Sequence, residues 1–215
     1  MEDKITLLIG TCDRYSFLWD NFVELCDRYW NVNCNKIFAG ETLQVKKKGY
    51  YTAMCGCKPW SNIIKSVLEQ IKTEYIFFIL DDFYLQKNIT ETFIKSGIQF
   101  LEEHSANKLV YTSAYCEYYK ISHFKQNVFK MLDDSDYLTT MQPAIWRKDF
   151  LKECLKPNMN PWEFEINGTN FIKNNDNKVY IHHTDDIYFN VVNKGNIIER
   201  WNLFKKIENL PDFKF

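Results

Sequence analysis

A chain of 215 residues with a formal net charge of −1 gives no electrostatic case for binding nucleic acid or an anionic membrane surface. At 46% hydrophobic and 26% charged it is a globular sequence of single-domain length, with no apolar run long enough to span a bilayer. Its seven cysteines are scattered and odd in number, and no basic, apolar leader follows Met1-Glu2-Asp3-Lys4; both features predict reduced thiols and a cytoplasmic setting.

In chain order, Ile5–Gly10 reads as a buried strand followed by the polar loop Thr11-Cys12-Asp13-Arg14. Residues 17–30 carry Leu18, Phe22, Leu25, Cys26 and Tyr29 at helical spacing. A short strand over 36–39 stops at Gly40, so β-α-β is complete within about forty residues, which implies a parallel sheet. Residues 44–58 look irregular. Pro59 and Ser61 open a helix, with Pro in the first turn and Ser as a cap, and Ile63, Ile64, Val67, Leu68 and Ile71 form its apolar stripe.

Tyr75–Leu80 is six consecutive apolar or aromatic residues, the mark of a strand buried on both faces of a parallel sheet. It runs straight into Asp81-Asp82-Phe83. Unpartnered charge is too costly to bury, so the two carboxylates belong at the strand's C-terminal end, where open α/β sheets bind ligands. Paired hard oxygens there suit a divalent cation that is itself holding phosphates, as a nucleotide-sugar site requires. A plain pair of carboxylates capping the next turn is the alternative.

Beyond this, residues 90–104 predict a helix and 109–113 a strand. Residues 115–137 predict short strands and loops. Residues 141–146, with Pro143 near the start, predict a strand, and 148–155 a helix that ends before Pro157. Asn160-Pro161-Trp162 opens a helix around 163–166, halted by Gly168. Residues 178–183 form a strand, 187–193 a short apolar piece, Gly195 a turn, and the tail from 202 docks on the body.

Several chemistries are excluded by their missing motifs. There is no G-x-G-x-x-G, no G-x-x-x-x-G-K-[ST] and no G-x-S-x-G, so dinucleotide oxidoreductases, P-loop enzymes and elbow hydrolases do not fit. Cys55-Gly56-Cys57 lacks zinc-finger spacing. The sequons at Asn88 and Asn167 are expected to be unused. Aromatics make up 17% of the chain; most belong to the core, and a surplus of Trp and Tyr suits sugar or base faces.

The remaining candidates are polar clusters. Asp13 can accept from a base or ribose and Arg14 can face phosphate. Glu163 and Glu165, at i and i+2 on one short helix, point in different directions, so one can serve as a general base while the other pairs outside. Trp162 offers a sugar-stacking face, with Gln142 and Trp146 beside it on the acceptor side. His182 and His183 alternate across a strand, so only one, taken as His182, can join a metal shell begun by Asp82. Asp185 and Asp186 are outside candidates for the base.

The order of these segments resembles the nucleotide-binding half of a GT-A fold glycosyltransferase. It rests on the first strand with Thr11-Cys12-Asp13-Arg14, the strand ending at Gly40, the helix behind Trp60, and Phe77-Phe78-Ile79-Leu80-Asp81-Asp82-Phe83. Gln142-Pro143-Ala144-Ile145-Trp146-Arg147, Pro161-Trp162-Glu163-Phe164-Glu165 and Tyr188 with Lys194-Gly195 are similar to segments of bacterial transferases that build capsule or lipopolysaccharide glycans. The resemblance implies one α/β domain over 1–215, with a mostly parallel, Rossmann-like central sheet flanked by helices. About 1–113 would bind nucleotide and about 114–215 the acceptor.

It further implies that Asp82, with Asp81, holds Mn2+ or Mg2+; His182, from its place on the strand, is the candidate to complete that shell, with a surface or outer-shell role as its alternative. Thr11, Cys12, Asp13, Arg14, Trp60, Lys65 and Asp81 would contact the nucleotide sugar. Glu163 or Glu165 would be the base for transfer to a glycan or lipid-linked glycan, with peripheral contact to the inner face of a membrane. The usual Asp-x-Asp is here Asp81-Asp82-Phe83, so Asp81 alternatively takes the sugar or ribose. A non-catalytic glycan-binding module, a sugar nucleotidyltransferase and a degenerate transferase that binds donor without turnover are the competing readings.

Overall fold

The computed structural model describes residues 1–113 and 119–214. In chain order the strands are β1 (Ile5–Gly10), β2 (Trp30–Asn31), β3 (Asn35–Gly40), β4 (Tyr50–Met54), β5 (Tyr75–Leu80), β6 (Phe83–Leu85), β7 (Ile89–Thr90) and β8 (Lys108–Thr112). They continue with β9 (Ile121–Lys125), β10 (Val128–Met131), β11 (Ala144–Arg147), β12 (Val179–His183), β13 (Tyr188–Asn190), β14 (Val192–Asn193) and β15 (Asn196–Ile197). The α-helices are α1 (Trp19–Tyr29), α2 (Trp60–Gln70), α3 (Glu91–Glu103), α4 (Lys148–Cys154), α5 (Pro161–Glu163), α6 (Thr169–Ile172) and α7 (Trp201–Glu208).

Nine strands form one sheet in the order β4-β3-β1-β5-β11-β8-β12-β10-β9. β4, β3, β1 and β5 are mutually parallel, as are β8 and β12. β11 runs antiparallel between β5 and β8, and β10 and β9 close the far edge as an antiparallel pair. The sheet therefore draws strands from both halves of the chain.

The uninterrupted apolar strands are explained by helices on both faces. Ile5, Leu7, Ile9, Tyr75, Phe77 and Ile79 point into one core with α1, α3 and α7. Leu8, Ile76 and Phe78 point into the other with α2, α4 and the helical run from 161 to 172. Thr90 caps α3 by accepting from the Phe93 N–H at 3.2 Å. Gly97 lets α3 press onto the sheet: a Cβ there would lie 2.6 Å from Ile145 Cδ1 and would overlap the Tyr111 hydroxyl. The tail docks as expected, with Phe213 stacked on Trp201 at 4.5 Å and edge-on to Phe17.

Some expectations are corrected. Within the stretch 44–58 expected to be irregular, β4 forms an edge strand whose outward Tyr51 and Met54 dilute its apolar signal. Ser61 does not cap α2; Pro59 occupies the N-cap. The Ser61 hydroxyl instead accepts from Met159 N–H at 2.9 Å, fastening α2 to the loop before α5. Gly168 does not halt its helix: α5, a π-helical turn (Phe164–Gly168) and α6 run on as one element. That glycine is needed for proximity, since a Cβ would sit 3.0 Å from Thr139 Oγ1. In the region 115–137 the expected short strands are present, as the hairpin of β9 and β10; residues 115–118 of it lie outside the described residues. Among the described residues, no helix is long and apolar enough to cross a membrane.

Candidate active site

The C-terminal ends of β1 and β5 meet at Gly10 and Leu80, and Asp81 N–H extends the ladder to Gly10 O at 3.2 Å. From that shared edge the two carboxylates diverge. Asp81 is 2% exposed and turns inward. Its Oδ2 accepts from the Thr11 hydroxyl and from Trp19 Nε1 at 3.1 Å, so it latches the β1 loop and α1 to β5. Burial, and after it the charge of Asp82, push its carboxyl well above the usual range. Asp82 Oδ1 is buried without a hydrogen-bond partner, and burial pushes that carboxyl up to about 7. Phe83, in the position of a third ligand, packs on the Tyr188 ring at 4.9 Å.

Asp82 faces a cleft of about 500 Å³. One wall is the β1 loop with Thr11, Cys12, Arg14 and Tyr15; Trp60 stands behind it. The Trp60 Nε1 is a second buried polar atom without a partner. The opposite wall carries Met141, Gln142, Trp162 and Glu165. The rim is Asn190 together with the tip of the β14–β15 hairpin, Asn193-Lys194-Gly195. That hairpin is tied to the Asp81-Asp82 segment, because β13 pairs with β6 and Val191 N–H donates to the Asp82 carbonyl at 2.8 Å. Lys194 and Gly195 sit at φ 50° and 79°, the left-handed tip of a tight two-residue turn.

Glu165 comes from the π-helical turn. Its Oε1 accepts from Met141 N–H at 2.6 Å and from the Thr140 hydroxyl at 3.3 Å, and burial raises its pKa. Gln142 Oε1 accepts from the Tyr188 hydroxyl. Cys12 is no thiolate: burial, then the neighbouring Asp81, push its thiol up to about 11.

Of the residues singled out from sequence, Thr11, Cys12, Arg14, Trp60, Asp81, Asp82, Gln142, Trp162 and Glu165 line this cleft. The others do not. Asp13 is spent on the 42–43 turn, accepting from Thr42 N–H at 3.1 Å and Leu43 N–H at 3.0 Å. Lys65 is exposed on α2 outside the cleft. Glu163 is locked in a capping box: Asn160 N–H donates to its Oε2 at 2.8 Å, and its own N–H donates to Asn160 Oδ1 at 2.9 Å. Trp146 is 0% exposed, in the core against Phe150 and Phe164.

His182 lies on β12, three strands from β5 in the sheet order, or roughly 14 Å at normal strand spacing. It packs edge-on to Tyr111 rather than approaching Asp82. Asp185 pairs with Lys87 at 2.9 Å and Asp186 accepts from Ser113. Sequence reasoning gave no site role to Tyr15, Met141, Asn190 or Lys194; the last was named only within the Lys194-Gly195 segment of the resemblance.

Among the described residues, no three His, Cys, Asp or Glu side chains converge as a ready-made metal shell. The unpartnered Asp82 Oδ1 nevertheless fits one carboxylate contact to a divalent cation whose other ligands come from a bound diphosphate and water. A second groove, of about 470 Å³, lies between α1, residues 44–47 and the tail. Its buried polar side chain, Asn21, is already spent on the Pro211 carbonyl at 3.1 Å, so it offers no comparable chemistry.

No protein-family model matches the sequence, and no curated protein sequence does. Solved structures do match. Residues 1–349 of S. aureus TarS in complex with UDP-GlcNAc superpose with a TM-score of 0.60 at 14% identity, over 90% of this chain and 60% of that one. The same fragment with UDP gives 0.60 and 14%, over 86% and 59%. The chain has a GT-A-type fold. The bifunctional IspDF from Campylobacter jejuni also superposes, with a TM-score of 0.53 at 12% identity, over 89% of this chain and 52% of that one. This chain thus spans less than two thirds of the length of each of these structures.

Proposed function

We propose that this protein is a nucleotide-sugar-dependent glycosyltransferase that uses Glu165 as its base. The observation that carries the reading is two buried carboxyl groups lining one cleft: Asp82, whose Oδ1 has no hydrogen-bond partner, and Glu165, whose pKa burial raises. The UDP and UDP-GlcNAc complexes of the TarS structures support a donor of that class.

In this reading the donor's nucleoside lies against Thr11, Cys12 and Trp60, and its diphosphate faces Asp82. Arg14 and Lys194, both exposed at the rim, supply positive charge to the departing diphosphate. Asp82 is the residue that would hold Mn2+ or Mg2+, and such a cation would neutralise charge on the leaving group. The acceptor, a glycan or lipid-linked glycan, rests on Trp162, which is 62% exposed at the mouth, and beside Gln142.

Glu165 takes the proton from an acceptor hydroxyl, whose oxygen attacks the anomeric carbon. The bond from that carbon to the diphosphate oxygen breaks, and the nucleoside diphosphate leaves with the electron pair. A carboxylate of raised pKa suits this task, since a base works best with its pKa near the operating pH.

Thermal unfolding with UDP, UDP-GlcNAc and other nucleoside diphosphates, with and without Mn2+, tests the proposal. A ligand at 100 times its dissociation constant adds about 2.7 kcal/mol, a readily measured shift. A nucleotide-specific shift supports the transferase. No shift with any nucleotide replaces it with the glycan-binding module, and a shift indifferent to Mn2+ removes the metal from Asp82.

A further inference from the structure

Lys108, on β8 in the middle of the sheet, is 0% exposed, and the chemistry above does not use it. A lone ammonium is far too costly to bury, so its partners must compensate. They are the carbonyl oxygens of Thr140 at 2.7 Å and Leu138 at 3.2 Å, and the Trp146 ring, whose centroid lies 4.0 Å from Nζ. Both carbonyls belong to the strap 138–141 that precedes β11.

The same strap is stitched to the turn that carries Glu165. Thr139 Oγ1 donates to Phe164 O at 2.8 Å, Thr139 N–H donates to Thr169 Oγ1 at 3.2 Å, and Thr169 Oγ1 donates to Glu165 O at 2.6 Å. The deciding detail is one peptide unit. The Thr140 carbonyl and the Met141 N–H are opposite ends of a single planar amide. Its oxygen accepts from Lys108, and its N–H donates to Glu165 Oε1 at 2.6 Å. A cation on the oxygen polarises the N–H at the far end, and bonds in such a chain strengthen one another.

We propose that Lys108 is a positioning residue for Glu165, acting through the Thr140–Met141 peptide. It fixes the strap against the sheet, so that this amide clamps one oxygen of the Glu165 carboxylate within the cleft wall. The significance for catalysis rests on Glu165 being the base, as proposed above; the contact network stands without it. The groups that bear on Glu165 are its own burial, which raises its pKa, and then the Met141 N–H, the Lys108 charge and the Thr140 hydroxyl, which lower it. Lys108 is drawn down to about 7 by burial, with Cys154 and Glu165 pulling the other way.

The test is a carboxyl NMR titration of protein labelled with 13C at the Glu side-chain carboxyls, in which E165Q identifies the Glu165 resonance. K108M keeps the length of the side chain but removes its charge and donors. It should raise the Glu165 midpoint by about one pH unit. A K108M midpoint equal to wild type overturns the proposal. Should K108M fail to fold, the wild-type Met141 amide resonance gives the same answer. It must respond to the titration of Lys108 near neutral pH as well as to that of Glu165, and an amide that follows Glu165 alone overturns the coupling. Unchanged turnover of UDP-GlcNAc by E165Q refutes Glu165 as base while leaving both titration results in place.

Discussion

Replacing Asp82 by Asn separates stability from function at the cleft. Burial lifts the Asp82 carboxyl to about 7, against about 3.9 for an Asp in an unfolded chain. The native state therefore holds this proton more tightly than the unfolded state. As pH rises the unfolded chain ionises first, so stability is lost between about pH 4 and 7 and stays lost above. Three units at about 1.36 kcal/mol each set a ceiling of about 4 kcal/mol, and partial access to solvent at the cleft lowers the expectation to about 2–3 kcal/mol. Removing the charge also relieves Asp81, whose raised pKa owes its second contribution to Asp82.

In EDTA, D82N should therefore be more stable than wild type by that amount at pH 8 and equal to it at pH 4, read from urea unfolding followed by fluorescence. The same variant should bind UDP in Mn2+ at least about tenfold more weakly, the loss of roughly 1.4 kcal/mol of contact. A variant with no extra stability at pH 8 refutes the burial argument. A stabilised variant that still binds UDP like wild type refutes Asp82 as the donor-facing group.

E165Q should lower transfer by about 10²–10⁴-fold while donor affinity stays within about twofold, because only proton transfer is removed; isothermal titration and turnover measured together check this. K194M should weaken UDP by about tenfold and leave uridine unchanged, since the lost contact is a charged one to phosphate; equal loss for both ligands would place the hairpin on the nucleoside instead. G97A should destabilise by about 1–3 kcal/mol through overpacking of α3 on the sheet. Adding Y111F removes the hydroxyl that the new methyl overlaps, so the double-mutant cycle should show coupling of at least about 0.5 kcal/mol; simple additivity would mean that α3 shifts as a whole.

The parallel half of the sheet was legible because its strands are buried on both faces. Across Ile5–Gly10 and Tyr75–Leu80 Thr6 alone breaks the apolar or aromatic run, too little to be confused with a helix stripe, and it too is buried. The rim of the cleft was not. β6 and β13 are three residues each and pair across about a hundred residues of chain, and β14 and β15 are two residues each, too short for any period. Asn190 and Lys194 reach the cleft only through that ladder. The inward turn of Asp81 was hidden for a related reason. Two carboxylates at a strand end demand partners, yet what distinguishes them is the Trp19 indole and the Thr11 hydroxyl arriving from the other side of β1.

The choice between Glu163 and Glu165 is different, because the deciding signal was in the sequence. Residues two apart on a helix lie about 200° apart, so only one of them can face the cleft. Asn160-Pro161-Trp162-Glu163 is a capping box: a good N-cap residue, Pro at N1 and Glu at N3, whose side chain reaches back to the N-cap N–H. A carboxylate recruited to a cap is turned toward the start of its helix and already holds a partner. That leaves Glu165 for the cleft, and the π-helical turn that begins at Phe164 carries it to the Met141 N–H. Replacing Asn160 by Ala tests the logic from the other side. It should cost about 1 kcal/mol in stability, the usual value of a cap, while turnover of the donor stays that of wild type, because in the proposed mechanism Glu165, not the Glu163 it frees, is the base.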